Sequence, residues 1–372
     1  MTVIASVESA AIELPLDAPI SLSSRRVAGR HYALVRVTDS DGATGIGFCY
    51  AGHTGSTIIA EAVRTLLNPI LVGEDGREVE RLWQLMSAST LLLGRAGVVT
   101  RAISAVDIAL WDLRARRAGV PLWQCLGSRK DPVPAYASGG YYLDGKGLDG
   151  LAAEVSAWVE QGFDRVKIKV GKYAAREEAE RVRVAREALG PGGELMLDAN
   201  NAWRSVDECV EFLRRIEHFA PHWIEEPFGP GAITAHARLV GRTPVLVATG
   251  EIASNVGEFE RIIVDRAADI LQPDAAVCGG ITEFLRVAAL AEASGVSLAP
   301  HWFDSVHVHL VAALPIARYV EFFTDDSIFN FRRLIDHRLE VRNGALALPG
   351  RAGLGFDFDP AVVTRYAVQE WA

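Results

Sequence analysis

Lys167 and Lys169 stand two apart in "DRVKIKVG" (164–171), alternating with Val166, Ile168 and Val170. Residues two apart in a strand share a face, so one face here is apolar and the other carries two ammonium groups. An exposed edge strand does the same with its lysines in water. The rest of the chain argues against that reading. Short apolar runs end again and again in residues that a packed core would not want: Ser138, Asp198 with Asn200, Glu225 with Glu226, Glu251, Asp274, His301 and Glu321. Asp198, Glu225 and Glu251 end consecutive runs. Three carboxylates brought together repel and drive one another towards the protonated form unless a cation sits among them. All-oxygen ligation suits Mg²⁺, which keeps open positions for water or a substrate oxygen. Asp274 and His301 end the next two runs. A carboxylate beside an imidazole fixes its tautomer and raises its basicity, as a general base requires.

The chemistry follows from charge. Two adjacent ammonium groups disfavour each other, so one can act as a base near neutral pH. Lys169 is the candidate base, with Lys167 staying charged against a substrate carboxylate. Lys169 and His301 would address opposite faces of one carbon. Removing a proton beside a carboxylate gives a dianionic enediolate, which a chelating Mg²⁺ and a neighbouring lysine stabilise. Glu321 is expected to be protonated, with a raised pKa, and to donate a hydrogen bond to the same carboxylate. Any one of these acids alone reads as a solvated loop residue; the ordered series is what carries the argument.

These residues need a scaffold that gathers strand ends. From about residue 133, the runs VPAYAS, VKIKV, ELMLDAN, HWIEEP, PVLVATGE, DILQPDA, VSLAPH and RYVEFF alternate with amphipathic helical stretches. Such alternation predicts βα units, and eight of them fit a closed (β/α)7β TIM-like barrel whose C-terminal rim collects the polar ends. Ser205 with Glu208 and Asn255 with Glu258 read as capping boxes. No G-x-G-x-x-G opens a helix, which weakens a doubly wound nucleotide-binding alternative. Before the barrel, "ALVRVTDSDGATGIGFCY" alternates about an Asp-Gly turn, and "TRAISAVDIALWDLRARRAG" has helical spacing. The expected organisation is an N-terminal α+β capping domain over 1–127, the barrel over 128–335, and a C-terminal segment, 336–372, returning to the capping domain. "HRLEVRNGALALPG" in that segment reads as a β-hairpin.

The 372 residues are 49% hydrophobic and 23% charged, with a net charge of −9, which disfavours nucleic acid or an anionic membrane as partner. Cys49, Cys125, Cys209 and Cys278 are scattered without ligand spacing, as in a reducing compartment. The start lacks the pattern of a signal peptide, and no apolar run reaches membrane-spanning length, so a cytoplasmic protein is expected. His307 and His309, two apart in a helical stretch, do not share a face and are discounted as ligands.

The ordered series "AISAVDIALWDL", "KIKVG", "LDAN", "WIEEP", "ATGE", "QPDA", "GGIT" and "APH" resembles the enolase superfamily, in its mandelate racemase-type subgroup. The resemblance spans essentially the whole chain. It implies a capping domain over a (β/α)7β barrel, and one Mg²⁺ held by Asp198, Glu225 and Glu251. It implies Lys169 and the His301–Asp274 pair as acid/base groups, Glu321 as carboxylate donor, and Ser138 and Asn200 as substrate contacts. It also implies a small carboxylate substrate, an acid sugar or diacid, and a homo-oligomer. "GRAGVVTRAISAVDIALWDLRARRAGVPL" and "LAPHWFDSVHVHL" look most like the dehydratases acting on galactarate and L-talarate. Specificity in the family comes largely from capping-domain loops, here about 19–31 and 51–56. There "PISLSSRRVAGRHY" offers Arg25, Arg26, Arg30 and His31 to a second carboxylate or a polyol. Acid-sugar dehydration to a 2-keto-3-deoxy acid is the leading reading. Racemisation or epimerisation of a 2-hydroxy acid and lactone cycloisomerisation are the alternatives, and a non-catalytic barrel is the rival of another class.

Overall fold

The computed structural model describes residues 2–127 and 131–372. The expected boundary at 127/128 falls beside residues 128–130, outside the described residues. Strands β1 (Ile4–Ser21), β2 (Arg26–Asp39) and β3 (Thr44–Tyr50) form an antiparallel meander. The Asp41-Gly42 turn joins β2 to β3, with Gly42 at φ 83°. Helices follow: α1 (Ser56–Ala62), continuing through a wider turn at Val63–Leu67 into α2 (Asn68–Leu71), then α3 (Val79–Ser89), α4 (Val98–Arg117) and α5 (Leu122–Cys125). Most of α4 is buried, because it lies between the sheet and the barrel. Gly47 of β3 lets it lie flat on the sheet: a Cβ there would stand 1.9 Å from the Ala105 carbonyl oxygen.

The barrel repeats strand and helix seven times and ends on a strand. The pairs are β4 (Val133–Gly139) with α6 (Leu148–Glu160), β5 (Arg165–Lys169) with α7 (Ala175–Leu189), and β6 (Glu194–Asp198) with α8 (Val206–Ile216). Then come β7 (Trp223–Glu225) with α9 (Ile233–Leu239), β8 (Leu246–Thr249) with α10 (Val256–Val264), and β9 (Ile270–Leu271) with α11 (Gly280–Ser294). β10 (Ser297–Leu298) with α12 (Asp304–Ala313) and the lone β11 (Val320–Phe322) complete it. Neighbouring strands run parallel, β11 pairs with β4, and a bridge between Leu298 and Ala317 closes the ring. Tyr136, Met196, Trp223, Ile270 and Tyr319 fill the interior, so the barrel is a packed core with its chemistry confined to the rim. Ser205 caps α8 through the Asp207 N–H, and Asn255 caps α10 through the Glu258 N–H. Neither closes the expected box; the Glu258 carboxylate reaches one residue further back, to the Ser254 N–H.

The meander sits over the C-terminal rim. Phe48 packs on Phe303 and Phe331 at ring separations of 4.9 and 4.2 Å, and Tyr32 Oη donates to Asn330 Oδ1 at 2.9 Å. Residues 19–31, expected as a loop, are largely the tip of the β1–β2 hairpin, where Ile20 pairs with Val27 and Ser21 with Arg26. That tip reaches the barrel: Ser23 Oγ donates to the Ala199 carbonyl at 2.6 Å. The C-terminal hairpin forms as β12 (Val341–Arg342) and β13 (Ala345–Leu346), and its strand pairing is with the barrel instead of the capping sheet. β13 pairs with Val133 and Pro134 at the foot of β4, and the hairpin turn at Asn343 and Gly344 lies against Gly162 just before β5. The segment after the hairpin returns to the cap: Gly353 bridges Pro121, the Leu354 N–H donates to Asp112 Oδ1 at 2.7 Å, and beyond α13 (Pro360–Tyr366) the strand β14 (Ala367–Gln369) pairs with β1. No helix among the described residues is long and apolar enough to cross a membrane.

Candidate active site

Parallel pairing brings the strand ends into register. Lys169 pairs with Asp198 and Asp198 with Glu225, so β5, β6 and β7 deliver their last residues side by side. Glu251 follows two residues after β8. Asp198, Glu225 and Glu251 are buried, and one carboxylate oxygen from each lies within 4.8 Å of the others. Burial pushes the Glu225 carboxyl up, Lys167 pulls it back, and Asp198, Glu321 and Glu251 push it up again, to about 8. Glu251 Oε2 and Asn200 Oδ1 are buried without hydrogen-bond partners. Crowded oxygens that lack hydrogen bonds are what a hard divalent cation satisfies. Glu226 turns away into its own bonds, accepting from Thr249 Oγ1 at 2.7 Å and the Gly250 N–H at 3.0 Å, which fixes the segment leading to Glu251.

The two lysines divide by depth. Lys169 lines the cavity, stands 4.9 Å over the Tyr141 ring and donates to Asp198. Burial lowers its pKa, but Asp198 more than restores it, so the amine is held charged. The expectation that mutual repulsion frees it as a base is therefore corrected: each lysine has its own carboxylate. Lys167, one turn of the pleat lower, does not line the cavity. Its Nζ lies 2.6 and 2.8 Å from the Glu225 oxygens and 2.8 Å from Glu321 Oε1, which replaces the expected contact with substrate. Glu321 is corrected likewise. Burial favours its protonated form, but Lys167, His301 and Lys169 outweigh burial and hold it at about 2. Ser138 Oγ donates to it at 2.6 Å and the Trp302 N–H at 2.9 Å, so it is a carboxylate accepting bonds.

Across the cavity, His301 Nδ1 is 3.1 Å from Asp274 Oδ2, which leaves Nε2 towards the acid trio, 3.4 Å from Glu251 Oε2. Burial opposes the imidazolium, but Glu251, the Asp274 hydrogen bond and Glu321 raise its pKa to about 9. Asp274 also stands beside His307, which accepts the Ala275 N–H at 3.1 Å. His307 and His309 are buried and pushed down to about 4 by desolvation, as structural histidines are. The cavity, about 430 Å³, holds Lys169, Asn200, Glu251, Asp274, His301 and Glu321 on its barrel side.

A family model for the N-terminal domain of mandelate racemase/muconate lactonizing enzyme matches residues 4–127, and an enolase C-terminal domain-like model matches 150–362. The chain belongs to the mandelate racemase/muconate lactonizing enzyme family. It is 35% identical to L-talarate/galactarate dehydratase of Salmonella typhimurium, over 92% of this chain and 86% of the relative. It is 36% identical to 3,6-anhydro-alpha-L-galactonate cycloisomerase of Streptomyces coelicolor, over 90% of this chain and 91% of the relative. The crystal structure of L-talarate dehydratase from Polaromonas sp. JS666, with Mg and L-glucarate, superposes with a TM-score of 0.92 at 35% identity, covering 100% of this chain and 99% of that one.

Not every expected substrate residue of this family member reaches the cavity. Asn200 does, with its Nδ2 on Asp198 Oδ2 at 3.2 Å, but Ser138 is covered and spent on Glu321. Arg25 lines the cavity from the hairpin tip. His31 does not; its Nδ1 is 3.1 Å from Ser56 Oγ, inside the capping domain. Three residues were not anticipated. Gln272 Nε2 donates to Glu225 Oε2 at 2.6 Å, and its place two residues before Asp274, on the same face, was a usable signal. Arg101 and Trp302 line the cavity from α4 and from the turn before α12, and no local pattern marks them.

Proposed function

We propose that this protein is an acid-sugar dehydratase: it removes the proton α to a carboxylate and expels the β-hydroxyl as water, leaving a 2-keto-3-deoxy acid. The observation that carries the reading is the placement of Lys169 and the His301–Asp274 pair on one cavity, with the acid trio between them. Asp198, Glu225 and Glu251 are the residues that would hold Mg²⁺. When bound there, it supplies Lewis-acid stabilisation for the negative charge that grows on the substrate carboxylate.

The chain's own groups do the rest. The anions around Lys169 and His301 hold both protonated, and a cation among the acid trio would offset those anions; whichever of the two is then neutral accepts the α-proton as the C–H bond breaks. His301, as its imidazolium, then gives a proton from Nε2 to the departing hydroxyl as the C–O bond breaks, and the enol tautomerises to the ketone. Asp274 keeps that ring oriented through Nδ1, and its bond favours the charged imidazole that acts as the acid. Lys167 and Ser138 hold Glu321 in place at the floor of the site. The close likeness to a dehydratase and to a cycloisomerase supports a common first step with different fates for the enediolate.

Proton NMR in D₂O with Mg²⁺ and a panel of aldarates, aldonates and 2-hydroxy acids tests this. A 2-keto-3-deoxy product is expected from at least one acid sugar. Deuterium entering the α-position with no loss of water would instead make the protein a racemase or epimerase, and conversion of an added sugar lactone into a keto acid of the same formula a cycloisomerase. Lys169→Met and His301→Asn are expected to lower kcat by about 100-fold or more. If the α-proton still exchanges at the parent rate in both variants, the acid/base assignment is wrong.

A further inference from the structure

The cavity has a second end, and the guanidinium groups there lack counter-ions. Arg30, Arg181 and Arg332 are buried to the same degree, 4–5% exposed. Arg181 stands beside Glu178 and Arg332 beside Asp304. Arg30 has only neutral partners: its Nε donates to the Ile328 carbonyl at 3.1 Å, its Nη1 to Tyr50 Oη at 3.3 Å, and its Cζ lies 4.6 Å from the centre of the Trp302 ring. Arg101, from α4, donates through Nη1 to the Tyr50 carbonyl at 2.6 Å. Both line the cavity on the capping-domain side, with Arg25 at its mouth. Among the described residues, no carboxylate lies within the 4.0 Å ion-pair distance of any of the three. Keeping a desolvated guanidinium beside neutral groups alone is unfavourable, and the open volume next to it is where its anion fits.

We propose that this end binds a second anionic group of the substrate, a terminal carboxylate, so that the enzyme acts on dicarboxylates of the aldarate class in preference to aldonates or lactones. This rests on the reading above for which carboxylate reacts: one end of the molecule meets the acid trio, Lys169 and His301, and the other meets Arg30 and Arg101. The planar guanidinium fork matches a carboxylate through paired N–H donors. A phosphate ester at the far end offers the same charge, and the test separates the two.

Binding is measured by calorimetry on the Mg²⁺-loaded protein with galactarate against galactonate, glucarate against gluconate, and 6-phosphogluconate. The expected result is an aldarate affinity at least about 10-fold above that of the matching aldonate. Arg101→Met and Arg30→Met should each bring that ratio towards one. If Arg30→Met does not fold, the parent ratio and Arg101→Met still decide. Equal affinity within each pair, no binding of any aldarate, or equal loss for both acids in the variants overturns the proposal. Selective binding of 6-phosphogluconate overturns the dicarboxylate and assigns the far anion to a phosphate. The dehydration reading fails separately: an aldarate that binds selectively but loses no water by NMR refutes that reading and leaves this one standing.

Discussion

His301 is charged in the cation-free protein because of its neighbours, and the order of those neighbours makes the point testable. Glu251 is the largest contributor raising its pKa, ahead of the Asp274 hydrogen bond. An NMR titration of the ring without divalent metal should therefore show a midpoint near 9. Glu251→Gln removes an anion that favours the imidazolium, so the midpoint must move down; an unchanged midpoint would show that Glu251 does not set it. Alternation alone put both lysines on one face of β5 and so on the site. It could not separate their roles, because the difference is depth. Lys167 pairs below the rim with Glu225 and Glu321, while Lys169 is left to the cavity. The expected proton on Glu321 failed for the same reason, since its ionic partner comes from a different strand.

At the level of elements, the loop carrying Asp274 is held by the capping domain. It runs into α11, whose first turn is bound from α4: Asp107 accepts from the Thr282 N–H at 2.9 Å and from Thr282 Oγ1 at 2.6 Å, and Ser104 Oγ accepts from the Gly279 N–H at 2.9 Å. Gly280 sits between them at φ +94°, and a Cβ there would stand 2.3 Å from Asp107 Oδ2. Gly280→Ala is expected to destabilise the protein by about 2 kcal/mol or more, from the left-handed backbone and the overlap together. Urea unfolding of the variant checks this, and a loss well under 1 kcal/mol would mean that α4 and α11 can separate at little cost. "GGIT" and "AVDIALWDL" were both legible as elements. Their meeting across 175 residues of sequence was not.

For the whole molecule, a cation bound only by the folded trio must raise stability by mass action, about 2.7 kcal/mol at a concentration 100 times its Kd. Mg²⁺ should raise the Tm of the parent protein, EDTA should reverse the rise, and Glu225→Gln should abolish most of it. A Tm indifferent to Mg²⁺ would refute the cation site independently of any activity. The sequence by itself determined the succession of strands and helices, the barrel they close into, and the ring of acids, lysines and histidine at its rim. Those features follow from local periodicity and from one rule, that parallel strands of a barrel end on one side. Only the tertiary structure decided which charges neutralise one another, where the C-terminal hairpin docks, and that His31 turns into the cap while Arg30 and Arg101 turn into the cavity. Those outcomes depend on distances between segments far apart in the chain, and the Coulomb and desolvation terms that decide protonation change over a few ångströms, a scale on which no local pattern in the sequence reports.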